Sequence, residues 1–119
     1  MAMAVGALIA ALKEAVSLQV RSTPAPEEYL EGVLGRQDLA RCHDLLRGAL
    51  GPAVKAFSQA VTFDAKTSRI VKTLGGIRAD QCLFLSPVDA QAVVYAALWP
   101  WASDPSRVTL KVGVVKMER

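Results

Sequence analysis

His43 is the one histidine of the chain, and it adjoins Cys42, one of two cysteines. Cysteine beside histidine suggests an activated thiolate or a metal donor pair, and both uses need the side chains to converge. Adjacent positions on a helix point about 100° apart, and no metal-binding spacing of further donors surrounds them. Thiol chemistry would need the fold to carry Cys82 to His43. Packing is the expectation for both cysteines, because a free thiol behaves as a small hydrophobe. The chain also lacks a phosphate loop, a dinucleotide fingerprint and a Gly-x-Ser-x-Gly elbow. Asp64, Asp80, Asp89 and Asp104 all fall at expected turns, where aspartate hydrogen-bonds its own backbone. No catalytic residue, metal or cofactor is assigned.

Two segments remain with the makings of a binding site. Gly75-Gly76-Ile77-Arg78 pairs two flexible glycines with a guanidinium, and Lys72 and Gln81 lie close in sequence. Exposed glycine amides next to positive charge can hold a carboxylate or phosphate. An ordinary turn with a solvated arginine explains the same residues. The second segment is Trp99-Pro100-Trp101, preceded by Val93 and Tyr95. If residues 92–99 form a strand, Val93, Tyr95 and Trp99 share one side and Ala92, Val94, Ala96 and Leu98 the other. One side packs on the helices. The aromatic side then has no element assigned to cover it, which is the mark of a partner surface. The alternative is that the tryptophans fill gaps at the edge of a closed core. A third group, Arg36, Arg41 and Arg47, sits near Asp38 and Asp44 at spacings that allow mutual pairing on a solvated helix face.

The elements that must position these residues follow from the pattern of apolar positions. Val5, Leu8, Ile9, Leu12, Val16 and Val20 recur at helical spacing. A second helix is expected after Pro24 and Pro26, with Glu27, Glu28 and Glu31 near its positive end and Tyr29, Leu30, Val33 and Leu34 inward. A third runs from Arg36 to Leu50, stopped by Gly51-Pro52. Beyond Pro52 the composition turns to Thr, Val, Ile and Phe. Residues 57–63 and 69–74 read as a hairpin about Asp64-Ala65-Lys66-Thr67-Ser68, in preference to a helix capped by Asp64. Gln81 to Leu85 is a short strand, and Val108, Leu110, Val112 and Val114 alternate as the clearest strand.

The expected architecture is α+β. About three N-terminal helices pack on one face of a mostly antiparallel meander of up to five strands within residues 55–116. The alternative is a C-terminal strand–helix–strand unit with residues 87–99 helical. With 119 residues, the chain has room for one domain, helical over about 1–51 and β-rich over about 53–117.

Composition narrows the function classes. Hydrophobic residues at 52% and charged residues at 21% exclude a disordered chain. Residues 36–86 carry eight bases against four acids, a mild basic middle without the aromatic interleaving of a nucleic-acid surface. The uncharged first twelve residues lack a basic leading segment and fall short of a bilayer span. The expected compartment is the cytoplasm, with both thiols reduced. The leading expectation is a small soluble interaction module that binds itself or another protein through Val93, Tyr95, Trp99 and Trp101. The alternative is a binding domain or small enzyme for an anionic metabolite at Lys72, Gly75, Gly76, Arg78 and Gln81. Nucleic acid is a distant third and no membrane partner is expected.

Overall fold

Alternating burial along the last strand organises the molecule. In the computed structural model, which describes residues 5–21, 28–59, 61–89 and 91–116, β5 spans Arg107–Lys116. Val108, Leu110 and Val112 along it have no solvent exposure. Five strands form one antiparallel sheet: β1 (Leu18–Val20), β2 (Leu30–Gly35), β3 (Cys82–Pro87), β4 (Ala92–Pro100) and β5, ordered β1-β2-β5-β4-β3. Three helices complete the fold: α1 (Val5–Ala15), α2 (Leu39–Leu50) and α3 (Ala65–Thr73). The radius of gyration, 13.5 Å, is that of one compact domain of this length.

The first sheet face is sealed. Leu30 and Leu34 of β2, Val108, Leu110 and Val112 of β5, Val94, Ala96 and Leu98 of β4, and Cys82 and Phe84 of β3 all point to it. Leu8, Ile9 and Leu12 of α1 and Cys42, Leu46 and Leu50 of α2 close over them. Phe84 lies opposite Ala96, which lies opposite Val112, so the smallest side chain of that row sits beside its largest.

On the second face, Ile70 of α3 packs on Val93 and Val115, and Val71 packs on Leu83 and Ala97. Among the described residues α3 is the helix on this side, and it packs against β3 and β4 and reaches Val115 of β5. The helices therefore occupy both faces, where the sequence pointed to one.

Four other expectations are corrected. Residues 30–35 are a strand, not part of a second helix: Gly32 and Gly35 are poor helix formers, and both neighbours of β2 supply backbone partners. The proline-headed segment 22–27 lies outside the described residues. The first helix ends at Ala15, and Leu18–Val20 pair with β2 instead of extending it. The hairpin over 57–74 is not formed. Asp64 caps α3 by accepting from the Thr67 N–H at 2.7 Å, and that cap outweighs the β-branched composition. The helix stops where Gly76 N–H donates to Val71 O at 2.8 Å, with Gly75 and Gly76 both at φ +92°. Finally, the strand–helix–strand alternative fails, because β4 is extended and pairs antiparallel with both neighbours. The meander is real but holds three strands, β3 to β5; the other two come from the N-terminal part.

The third expected helix stands, as a 3-10 turn at Arg36–Asp38 leading into α2, closed at Gly51 with φ +87°. No described helix is long and apolar enough to cross a membrane.

Candidate functional site: the open half of the second sheet face

Strand register builds this surface row by row. Trp99 faces Thr109, which faces Val33; Ala97 faces Lys111, which faces Glu31; Tyr95 faces Gly113. Trp101, one residue beyond β4, falls on the same side and donates its indole N–H to Thr109 Oγ1 at 2.7 Å. Tyr29, just before β2, donates its hydroxyl to Glu31 Oε1 at 2.9 Å. Both tryptophans and both tyrosines of the chain thus belong to this face.

Glu31 is the hub of the charges. It meets Arg21 Nη1 at 3.1 Å and Lys111 Nζ at 3.9 Å. Lys111 in turn stands 4.1 Å above the Trp99 ring, and Arg107 lies 5.7 Å from the Trp101 ring centre while reaching Asp104 at 3.4 Å. Each cation is drawn to the electron-rich ring face. Burial, the hydrogen bond to Glu31 and the Glu31 charge push the Tyr29 hydroxyl well above its ordinary range. Burial and Glu31 push Tyr95 the same way. Both shifts favour the protonated phenol, and Tyr29 uses its proton in the hydrogen bond to Glu31. The Trp99 indole N–H is buried without a hydrogen-bond partner among the described residues.

Of the four expected interface residues, Tyr95, Trp99 and Trp101 are half-buried on this side. Val93 is 3% exposed beneath Ile70 and belongs to the core. Sequence reasoning missed Tyr29, Glu31 and Arg21 because it placed them on or beside a helix. Thr109 and Lys111 were legible as the polar side of the alternating strand.

The anion candidate has a different environment. Gly75, Gly76, Ile77, Arg78 and Gln81 line one cleft of about 460 Å³ together with Trp99, and Lys72 is not among its lining residues. The Gly75 N–H already donates to Lys72 O at 3.1 Å and the Gly76 N–H to Val71 O. Arg78 is paired with Asp80 at 3.4 Å, and the Gln81 side chain accepts from the Arg78 N–H at 2.7 Å. The turn also follows the C-terminus of α3, whose partial negative charge disfavours an anion.

Thiol and metal chemistry gain no geometry. Cys42 and Cys82 are buried and free, and burial above all pushes their thiols up to about 12 and about 11. His43 stacks edge-on against Phe84 at 5.2 Å. The described residues contain no group of three side chains able to hold a metal ion. Arg36 and Arg41 donate to the carbonyls of Pro105 and Ala15 rather than forming the expected aspartate ladder. No family model, curated protein or solved structure matches the chain.

Proposed function

We propose that the chain is a small protein-interaction module that self-associates through the open half of its second sheet face. One observation carries this reading: both tryptophans and both tyrosines gather on a single face, Tyr95 and Trp99 packed at the margin of the Ile70 and Val71 clusters under α3 and Tyr29 and Trp101 outside those clusters. Aromatic side chains with few rotors lose little entropy on docking, and they dominate binding energy at protein interfaces. Glu31, Lys111 and Arg107 supply a polar surround that fixes orientation. A cytoplasmic setting, which keeps Cys42 and Cys82 reduced, accompanies this reading.

Anion binding at the Gly75–Arg78 turn is the competing reading, and the engaged glycine amides give it less support. Sedimentation velocity over a dilution series, read alongside tryptophan emission, separates the two. Self-association predicts a concentration-dependent mass and a red shift of emission on dilution. A monomer at every concentration with unchanging emission would end the proposal. A melting temperature raised by a carboxylate or phosphate, and lost in Arg78→Ala, would transfer the case to the turn.

A further inference from the structure

Lys55 is 4% exposed, an unusual position for an ammonium group. Among the described residues no carboxylate lies within ion-pairing distance of it. Its Nζ donates instead to three backbone carbonyls: Gln81 O at 2.6 Å, Ala79 O at 2.8 Å and Ala56 O at 2.9 Å. An ammonium carries three N–H donors, and three acceptors meet them. A buried charge persists only when its hydrogen bonds are complete.

The carbonyls come from two separate parts of the chain. Ala56 belongs to the segment after α2, whereas Ala79 and Gln81 belong to the turn that leads into β3. The same two segments are joined along the backbone. Val54 N–H donates to Leu83 O at 2.9 Å, Leu83 N–H to Lys55 O at 3.0 Å, and Ser58 N–H to Ala79 O at 2.8 Å. Residues 54–58 therefore form a strap along the outer side of β3, an edge strand of the sheet. An uncovered edge is a template for pairing with another chain. The strap shields the first half of β3, and Pro87, which has no amide donor, ends the second.

We propose that the carbonyls of Ala56, Ala79 and Gln81 form a site for a primary ammonium or comparable small cation, filled by the tethered Lys55 amine, and that its occupancy latches the strap onto β3. The site follows from its donor set: neutral oxygens converge on one positive centre without a carboxylate. Removing the amine leaves three carbonyls directed at one vacated space, with Gln81 buried and Ala56 and Ala79 at its exposed side. A free cation that fits the vacated space then restores the latch. The proposal is independent of what docks on the aromatic face.

The test compares Lys55→Ala with the wild type by thermal melting in sodium, tetramethylammonium, ammonium and propylammonium chlorides at equal ionic strength. The variant is expected to melt lower in sodium and to recover part of the loss in propylammonium. Tetramethylammonium, which has no N–H, gives no recovery. Leu83 amide exchange, faster in the variant, slows again with the same cation. Equal responses of variant and wild type to all four salts would overturn the proposal, as would wild-type protection of Leu83 in Lys55→Met. If Lys55→Ala fails to fold in every salt, the wild type still decides. Reductive methylation should spare Lys55 while Lys66 and Lys72, both exposed, are modified. Modification of Lys55 at their rate would refute the site.

Discussion

A single buried thiol or an exposed carboxylate shows how environment sets chemistry here. Cys42 lies in the sealed core, where desolvation, then the Asp38 charge and then Cys82, raise its thiol to about 12. Cys82 reaches about 11 by burial, partly offset by Lys55 and by a hydrogen bond from the Leu83 amide. Thiolate is the reactive species, so both groups are expected to ignore a disulfide reagent at pH 8 until the protein unfolds. Titration with such a reagent across a urea gradient checks this; reaction of either thiol in the native baseline contradicts the packing described. Asp64 illustrates the opposite sign. Its hydrogen bonds with Thr67 hold the carboxyl below the usual carboxylate range. A depressed folded-state pKa stabilises the native state above the unfolded value, and that contribution disappears as pH falls through the depressed one. Asp64→Ala should therefore speed exchange of the Thr67 and Ser68 amides at neutral pH, with the gap narrowing in acid. A gap that is constant with pH would mean that the carboxylate charge contributes nothing to the cap.

Whether an element was legible in the sequence depended on how many of its faces are buried. β5 alternates because two helices seal one side and the other stays partly open, so its period of two survives in Val108, Leu110 and Val112. α2 was legible from its apolar spacing and from the Gly51 stop. β2 was not: Leu30 and Leu34 face the helices while Val33 is buried on the other side, and that triplet mimics a helical stripe. α3 hid behind Ile70, Val71 and its threonines, although a helix capped by Asp64 was visible as the weaker option. Missing α3 left Val93 assigned to an open surface. The aromatic row was recognised, but its polar partners on β2 were not. One contact tests the β4–β5 pairing directly. A Cβ on Gly113 would lie 2.8 Å from Tyr95 Oη and 3.0 Å from two ring carbons. Gly113→Ala should therefore cost about 1–3 kcal/mol through overpacking. Adding Tyr95→Ala should make the second substitution nearly harmless, a coupling that urea denaturation of the double-mutant cycle measures. Additive losses would mean that Tyr95 does not lie on the Gly113 backbone.

Across the whole molecule, the sealed core and the proposed docking surface lie on opposite sides of the sheet, and β5 contributes to each on alternate residues. Leu110 has no exposure and lies between Leu98 and Gly32 in the register, beneath α1 and α2. Truncating it leaves a cavity in a close-packed layer, at a cost of about 2–5 kcal/mol. Trp101 sits on the opposite side, bonded to Thr109 and flanked by Arg107, where water can replace what truncation removes. Leu110→Ala is accordingly expected to lower the melting temperature sharply. Trp101→Ala should leave melting of the subunit nearly unchanged and weaken self-association by about tenfold or more, the usual penalty for losing an interfacial tryptophan. Sedimentation and calorimetry on the same two variants read the separation. If Trp101→Ala unfolds the protein as readily as Leu110→Ala, the indole is a core residue and the open face is part of the fold. If it changes neither stability nor mass, the aromatic row is surface without a partner. Selective loss of association is the one result that makes the second face a docking surface.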